Sequence, residues 1–527
     1  MKKFLTFVLV LAMVMSVSSV ALAAETVNDA ATLQAAIDSA ENGVETTITL
    51  TASVAVSADS SITIPAGKVI VIDLAGNDIS QAQTTLNSAT IRNSGNLTVK
   101  DSVGGGKITS KHTGESDASF GKGVYTVVNS GTMKVDSAII ENATEVTPLM
   151  RSAIDNNSTT GNAVLTIESG STVSCPEYIA IRQFANSDSY ENSVTVNGGT
   201  VTGGKRAIWV HLPGSSATSK KQASLTVSGG TLTSEDTAGV NLAIYVYSYG
   251  DSVENLAMNI SDGTINGDVA LYGKSGLQDL KKENMSVTGG DFNGAYGIYD
   301  YSGSGAGYEN QKIPFGFVSG GTFDGIWDEE LIDPDAIAAE VTNASGDTVY
   351  AIGKEAIEEA AEKAAEKSGA DKVTVTVTQG NVAFDKDDLP GGVTVKNSGS
   401  GNVTVDGTTP DPSFGVVVPT PAPATKPSSG YSGPDLWYIG GNTFGTSTTQ
   451  SPSKVEIDGV AVPFTMNGSQ IVVGCVDPNA HWVKASWGST TNTVYFTPDA
   501  QAFCAQTVIP KTGDMPIWAA IAAFFGF

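Results

Sequence analysis

The sequence predicts an all-β protein built as a solenoid, a stack of short coils that share one continuous core. One observation is a strand ending in a Gly-Gly turn, whose second glycine recurs at positions 199, 230, 263, 290 and 321. The other is a repeated triplet of a small, an aliphatic and a third residue, such as Ala207-Ile208-Trp209. Units of this length are too short and too polar to bury themselves, so neighbouring units must stack.

The composition agrees with a β-rich fold and excludes several classes of protein. Of the 527 residues 58 are glycine and 40% are hydrophobic, which argues against intrinsic disorder. The chain has 29 Lys and Arg against 55 Asp and Glu, a net charge of −26, so we expect no binding to nucleic acid. Three cysteines are too few for a scaffold built on disulfides.

Glycines and strand alternation assign positions within each coil. The Gly-Gly pairs suit corners that need positive φ and close backbone approach, and looser copies carry Gly95, Gly131 and Gly170. The run Gly104-Gly105-Gly106 lacks the Lys-Ser/Thr of a phosphate loop and predicts another corner. Side chains alternate along a strand, so the aliphatic residue of each triplet points inward and the third residue outward.

The outward residues form two predicted columns on one face. The third residues of the triplets are Asp155, Arg182, Trp209, Tyr245, Tyr272, Tyr299 and Trp327. Two residues further along each strand stand Asn157, Phe184, His211, Tyr247, Lys274, Tyr301 and Glu329. Aromatic side chains dominate the middle of both columns, and variable loops follow them, as at the binding faces of many solenoids.

This pattern resembles the right-handed parallel β-helix of the pectate-lyase-like superfamily, with one coil per repeat over residues 24–335. The amphipathic segment from Thr32 to Ile37 resembles the helix that caps such solenoids, whose first rung exposes a strand edge. The main alternative is an array of β-sandwiches, which would not place aliphatic residues in phase over so many repeats.

The N-terminus has the features of a secretory signal. Lys2 and Lys3 precede an apolar run, and Ala21-Leu22-Ala23 follows it. We therefore expect residues 1–23 to be removed by cleavage after Ala23 or Ala24. The alternative is an N-terminal membrane helix, which the small residues at the end of the run disfavour.

The segment 508–527 contains Ile509-Pro510-Lys511-Thr512-Gly513, which resembles the sortase sorting signal of Gram-positive surface proteins. The resemblance implies that a sortase cleaves between Thr512 and Gly513 and joins Thr512 to cell-wall peptidoglycan, the tail residing in the membrane only transiently. The usual initial Leu is Ile here, the apolar tail has 13 residues instead of about 20, and a basic stop is missing. We expect a truncated C-terminus; the alternative is a chance pentapeptide.

The region between solenoid and sorting signal predicts two small modules and a spacer. Residues 336–409 predict an α+β or capping module, with a helix over Lys354–Ser368. Residues 410–435 are rich in Pro, Ser and Gly and predict an extended linker. Residues 436–507 predict a compact β module with a hairpin signal at Val455–Gly459.

Cysteine placement allows one disulfide in the C-terminal β module. Cys475 and Cys504 both fall inside that module, and in an exported chain they could pair. Cys175, in the solenoid, would then be left without a disulfide partner. The alternative, three free thiols, stays open at this stage.

The aromatic columns predict a saccharide-binding face, because flat rings match the apolar faces of pyranoses. The predicted binding residues are Arg182, Trp209, His211, Tyr245, Tyr247, Tyr272, Tyr299 and Tyr301. The alternative is that stacked aromatics only stabilise neighbouring strands, by about 0.2–1 kcal/mol per pair.

Signals of catalysis are weaker. The lyases of the resembled superfamily hold Ca²⁺ with clustered carboxylates, and its hydrolases use neighbouring aspartates. Here Asp155 lies one rung from Arg182, which is typical of a surface ion pair, and the three histidines lack metal-ligand spacing. We therefore expect no cofactor, no metal and no catalytic residue.

The favoured hypothesis is a wall-anchored adhesin or glycan-binding display protein; the alternatives are a secreted polysaccharide lyase or glycoside hydrolase and a structural surface component.

Overall fold

The computed structural model describes residues 25–114, 123–145, 150–213, 222–236, 241–249, 255–273, 277–300, 313–325, 329–385, 387–410, 415–418, 434, 436–440, 442–457, 460–473, 482–487 and 490–495. Contacts divide the chain into two units, Met1–Thr420 and Pro421–Phe527. Several sequence predictions lie outside the described residues, namely those on Ala23, Lys274, Tyr301, Trp327, Cys475, Cys504, Thr512 and Gly513. Within the described part of the chain, no helix combines the length and the apolar character needed to cross a bilayer.

The first unit contains a parallel β-solenoid of about 8 turns, which confirms the predicted fold class. Its strands lie in three rows that run along the solenoid. The first row contains β1 Glu25–Val27, β2 Glu45–Leu50, β5 Val69–Asp73, β8 Asn96–Lys100, β11 Thr132–Asp136, β14 Ala163–Ile167 and β17 Asn192–Val196. The second row contains β3 Val54–Val56, β6 Ile79–Gln83, β9 Lys107–His112, β12 Ile139–Asn142, β15 Thr172–Cys175 and β18 Thr200–Gly203.

In the later turns the first two rows merge, while the third row stays separate. The strands that run through both rows are β20 Ala223–Ser234, β22 Leu256–Asn266, β24 Met285–Phe292 and β26 Val318–Phe323. The third row is a nine-stranded parallel sheet of β4 Ile62–Ile64, β7 Ala89–Asn93, β10 Gly123–Asn129, β13 Met150–Asn157, β16 Ile179–Phe184, β19 Arg206–Pro213, β21 Leu242–Tyr249, β23 Asp268–Gly273 and β25 Ile298–Asp300. This third row carries the predicted aromatic columns.

Aliphatic residues stack in register inside the solenoid, as the triplets predict. Ile154, Ile181, Ile208 and Ile244 lie opposite one another on consecutive strands of the third row, and all four are fully buried in the main core. Each turn thus contributes one aliphatic side chain to a continuous column. Burial of one such side chain stabilises the fold by roughly 1.5–3 kcal/mol.

The corner between the first and second rows needs a left-handed backbone. In the later turns its glycines have positive φ, as at Gly199, Gly230 and Gly321, and in the earlier turns Gly104 and Gly170 do the same. The predictions for the Gly-Gly pairs, for Gly170 and for the Gly104 run are therefore confirmed.

Two of the looser glycine copies belong to a different corner. Gly95 and Gly131 lie between the third and the first row, and neither has positive φ. A Cβ on Gly95 would lie 2.5 Å from the carbonyl oxygen of Pro65, so this glycine is needed for close stacking of coils. Assigning these glycines to the Gly-Gly corner was wrong, because both corners require glycine for different physical reasons.

Gly230→Ala is expected to lower the free energy of unfolding by about 2–3 kcal/mol. The backbone there has a φ of +85°, which strains any L residue by roughly 1–2 kcal/mol, and the new Cβ would lie 2.7 Å from backbone atoms of Gly198 and Gly199. Gly104→Ala is the matched control, since Gly104 has a φ of +92° but open space around its Cβ position. Urea denaturation of both variants would measure the difference, and equal losses would contradict the steric part of this prediction.

A buried asparagine ladder, which the sequence pattern does not predict, lines the corner between the third and first rows. Asn93 Nδ2 donates to Asn129 Oδ1 at 2.8 Å, Asn129 Nδ2 to Asn156 Oδ1 at 2.7 Å, and Asn156 Nδ2 to Asn192 Oδ1 at 2.7 Å. The amides also donate to backbone carbonyls, as Asn156 does to Ala163 at 3.0 Å. The ladder therefore satisfies backbone groups that the turn leaves unpaired.

A short helix covers the first turn, as predicted. The helix α1 spans Ala30–Ser39 and begins after Asp29, whose carboxylate accepts a hydrogen bond from the backbone N–H of Thr32 at 2.8 Å. Leu33 and Ile37 of α1 are fully buried in the solenoid core. The helix thus shields apolar side chains that the terminal coil would otherwise expose.

Strands with mixed antiparallel and parallel pairing and a helix follow the last coil. The strands are β27 Ala338–Thr342, β28 Thr348–Ile352, β29 Thr374–Gln379, β30 Val382–Phe384, β31 Thr394–Asn397, β32 Val403–Val405 and β33 Val416–Val417. β28 pairs antiparallel with β26, while β29 pairs parallel with β31. The helix α2 spans Lys354–Ser368, which confirms its predicted bounds, and buries Ile357 and Ala361. Short 3₁₀ helices lie at Leu277–Asp279, Lys282–Asn284, Glu329–Leu331 and Ala370–Lys372.

The described part of the second unit consists of two antiparallel sheets. One has the strand order β34 Leu436–Gly440, β35 Thr443–Thr446, β39 Gln470–Val473 and β38 Phe464–Asn467. The other has the order β37 Val460–Ala461, β36 Lys454–Ile457, β40 Trp482–Trp487 and β41 Thr490–Tyr495. β36 pairs antiparallel with β37, which confirms the hairpin predicted there. The core of the second unit contains the buried side chains of Phe444, Ile471 and Val483.

Candidate functional site

The outer surface of the third row brings most of the predicted binding residues together. Asp155, Arg182, Trp209 and Tyr245 lie opposite one another on β13, β16, β19 and β21, which confirms that part of the first column. The second column runs through Asn157, Phe184, His211 and Tyr247 in the same way.

Tyr272 lies in the second column rather than the first. A register shift between Leu242 and Ile244 places Tyr245 opposite Ala270, so that Tyr272 lies opposite Tyr247. Tyr299 follows Ala270 in the first column and is almost fully buried. Equal spacing in the sequence therefore gave the wrong position for Tyr272, because a β-bulge changes the register without changing the repeat.

The aromatic rings of this surface stand against one another. The Trp209 and His211 rings are 4.5 Å apart between centroids and 6° from parallel, and the Tyr247 and Tyr272 rings are 5.1 Å apart and 3° from parallel. Trp209 and Tyr247 meet edge to face at 6.4 Å. The stack therefore joins β19, β21 and β23, and several ring faces are already covered by neighbouring rings.

A guanidinium group lies over two of these rings. The Arg206 Cζ atom is 4.5 Å from the Tyr245 ring centroid and 5.8 Å from that of Trp209. Burial lowers the pKa of Arg206, against the opposing influence of Tyr245 and Tyr178. Arg206 was not among the predicted binding residues, although it directly precedes the triplet that contains Trp209.

The first column begins with a buried ion pair. Arg182 Nε lies 2.5 Å from Asp155 Oδ1, and Arg182 Nη2 lies 2.8 Å from Asp155 Oδ2. Asp155 is 1% and Arg182 8% exposed, so the prediction of a surface ion pair was wrong. Burial opposes the charge on Arg182, but the Asp155 carboxylate outweighs it and raises the pKa of Arg182.

Aromatic side chains enclose this ion pair. The Arg182 Cζ atom is 4.5 Å from the Phe184 ring centroid and 5.2 Å from that of Tyr125, whose hydroxyl lies 3.2 Å from Arg182 Nη2. Burial raises the pKa of Tyr125 to about 12, so its hydroxyl stays protonated at physiological pH. Phe184 also contacts His211, with 5.1 Å between ring centroids. The ion pair thus continues directly into the aromatic stack. We name this set the aromatic band; its members are Tyr125, Asp155, Arg182, Phe184, Arg206, Trp209, His211, Tyr245, Tyr247 and Tyr272.

Two further carboxylates near the end of the third row are bound to the backbone. Burial raises the pKa of Asp268, whose Oδ1 accepts hydrogen bonds from the backbone N–H groups of Tyr296 and Gly297. Asp300 accepts one from the N–H of Ile313 at 2.9 Å. In the described ranges, no three His, Cys, Asp or Glu side chains come together as a metal ion would require.

Fold and site together define the class of this chain: a parallel β-solenoid with an aromatic band on one outer face. No protein-family model, no curated protein and no solved structure matches the chain significantly.

Proposed function

We propose that this chain is an extracellular display protein that binds a polysaccharide along its aromatic band. The observation that carries the proposal is the band itself, in which Trp209, Tyr245, Tyr247 and Tyr272 are all partly exposed on three neighbouring strands. Aromatic side chains that keep a polar atom and a partly open ring combine apolar contact with hydrogen bonding. Both are needed to bind a sugar.

The ring geometry indicates how a polysaccharide would lie on the band. The faces of Trp209 and His211 cover each other, as do those of Tyr247 and Tyr272, so a ligand would contact the parts of these side chains that stay exposed. Strands of one row are about 4.8 Å apart, and an extended chain lying across them would contact several coils in turn. Binding then depends on several weak contacts in a row, so a longer saccharide should bind with higher affinity than a shorter one.

Export and anchoring complete the proposal. The order of signal, solenoid, linker, β module and sorting signal is the one that a wall-attached protein requires, because the linker separates the binding region from the attachment point. The sortase resemblance of Ile509–Gly513 supports covalent attachment of Thr512 to peptidoglycan. We propose no nucleic-acid partner and only transient membrane contact through the C-terminal tail.

Trp209→Ala combined with Tyr245→Ala is expected to reduce binding to the best ligand of a glycan array at least tenfold. Loss of two aromatic contacts of about 1 kcal/mol each accounts for that factor. Tyr190→Ala is the matched control, because Tyr190 is 39% exposed and lies outside the aromatic band. Circular dichroism would show that all variants keep the fold.

Two results would overturn the proposal. Unchanged array binding of the double variant would show that the aromatic band only stabilises the strands. Release of unsaturated uronate from pectin or alginate would support a polysaccharide lyase, although the Asp155 oxygens are already bound by Arg182.

A further inference from the structure

A second aromatic surface lies in the second unit, on the four-stranded sheet that begins with β34. Trp437 is 45% exposed although it is the largest kind of apolar side chain. It sits on an edge strand, since β34 pairs only with β35 in this sheet as described. Ile439, two residues along the same strand, is 48% exposed as well, and neighbouring exposed apolar side chains of this kind commonly mark a binding surface.

The indole of Trp437 lies flat over a glycine. A Cβ placed on Gly445, directly opposite on β35, would overlap the Cε2, Nε1 and Cζ2 atoms of the indole, with Cε2 the nearest. This is the pattern of a ring that lies over the glycine, rather than one that meets it edge on. The ring is thus held by the sheet on one face while much of the rest of its surface is open, unlike the mutually stacked rings of the aromatic band.

Two amide side chains continue the row that Trp437 begins. Gly445 pairs with Gln470 on β39, and Gln470 pairs with Asn467 on β38. Because paired residues share a face, Trp437, Gln470 and Asn467 lie on the same side of the sheet. The neighbouring row holds Thr443, Val472 and Thr465. None of these described residues carries a charge.

We infer that this face of the second unit is a separate saccharide-binding site for a neutral polysaccharide. The open surface of the Trp437 indole stacks on the apolar face of a pyranose ring. The Gln470 and Asn467 amides, each with two donors and an acceptor, bind hydroxyl groups of the adjoining sugars. Trp437, Gln470 and Asn467 do not belong to the aromatic band, so this site does not depend on the function proposed for the solenoid.

The surface chemistry favours a neutral sugar over a protein partner. A stable protein interface buries about 1,200–2,000 Å² and is centred on a cluster of apolar side chains. This face instead offers one fixed aromatic ring and the aliphatic side chains of Ile439 and Val472 beside amides and hydroxyls, which is too narrow and too polar for such a centre. An acidic polysaccharide would require cationic side chains, which the described residues of these two rows lack.

Affinity electrophoresis of the full chain tests this inference. Native gels would contain laminarin, hydroxyethyl cellulose, xylan or galactomannan, and the protein would carry Trp209→Ala and Tyr245→Ala, so that the aromatic band contributes little. At least one neutral polysaccharide is expected to retard this protein. Adding Trp437→Ala should weaken that binding about tenfold or more, and Gln470→Ala about three- to tenfold.

Tyr190→Ala is the matched control, because Tyr190 is an aromatic side chain of the first unit and is 39% exposed. It should change the affinity less than twofold. Absence of retardation by all four polysaccharides, or an equal loss with Tyr190→Ala, would overturn the inference. So would dimerisation in analytical ultracentrifugation that Trp437→Ala abolishes, since the face would then bind a second copy of the chain. The two tests can give different outcomes. If Trp437→Ala weakens binding to a neutral polysaccharide while the glycan-array test of the aromatic band fails, this site binds sugar and the aromatic band does not.

Discussion

Arg182→Met is expected to lower the free energy of unfolding of the solenoid by about 3–5 kcal/mol. The substitution keeps most of the side-chain volume but leaves the Asp155 carboxylate buried without its cationic partner. It also removes the guanidinium from between the Phe184 and Tyr125 rings. An uncompensated buried charge is far more destabilising than the loss of an exposed pair.

Two controls make this prediction specific to burial. Combining Arg182→Met with Asp155→Asn removes both charges and should recover much of the loss, because no charge is then left unpaired. Lys134→Met breaks two exposed ion pairs, 3.1 Å to Asp136 and 3.7 Å to Glu168, with the Lys134 side chain 42% exposed, and should change stability by at most about 1 kcal/mol. Urea denaturation followed by tryptophan fluorescence measures all three. Equal losses for Lys134→Met and Arg182→Met would contradict the argument.

Asn156→Ala is expected to destabilise the protein by about 3–5 kcal/mol. The Asn156 amide donates to Asn192 Oδ1 at 2.7 Å and to the Ser193 carbonyl at 2.9 Å, and its Oδ1 accepts from Asn129 at 2.7 Å. Without it these buried groups lose a partner, and each unsatisfied group contributes about 1–3 kcal/mol. The loss is local, since each coil mainly contacts its neighbours.

Hydrogen exchange combined with urea denaturation checks this prediction. Amides of β13, β14 and β17 should lose protection before those of β2 and β5, which lie several coils away. Asn197→Ala is the control, because Asn197 is exposed and its side-chain amide bonds only to side chains in the described ranges, donating to Glu168 at 3.3 Å and accepting from the Ser228 hydroxyl at 3.1 Å, so we expect a change within about 0.5 kcal/mol. Uniform loss of protection along the whole solenoid would contradict a local role of the ladder.

Periodic features of the chain could be predicted from the sequence, and features set by three-dimensional contact could not. The column from Ile154 to Ile244 and the left-handed corners follow directly from repeated residue types, so both were predicted correctly. Tyr272 was assigned to the wrong column because the bulge near Leu242 is not visible in the spacing. Burial of Asp155 and Arg182 was missed because the Tyr125 and Phe184 rings cover this outward-facing pair, and strand alternation does not show which outward residues are covered.

The asparagine ladder shows another limit of sequence reasoning. Asn93, Asn129, Asn156 and Asn192 are separated by 36, 27 and 36 residues, but asparagine is common throughout this chain. Its role depends on the amides being buried at one corner, which a residue type alone does not indicate. Trp437 is a similar case, because only the pairing with Gly445 reveals that its ring lies flat.

The register of the middle coils has a consequence for the evolution of this protein. Asp155, Arg182 and Trp209 are 27 residues apart and lie opposite one another, so one such interval returns the chain to the same point of the next coil. Duplication or deletion of a gene segment encoding that interval would lengthen or shorten the solenoid by one turn, about 4.8 Å, without turning any side chain from the core to the surface. Recombination can therefore change the length of the solenoid in steps of one turn, while the side chains that face the core keep their positions.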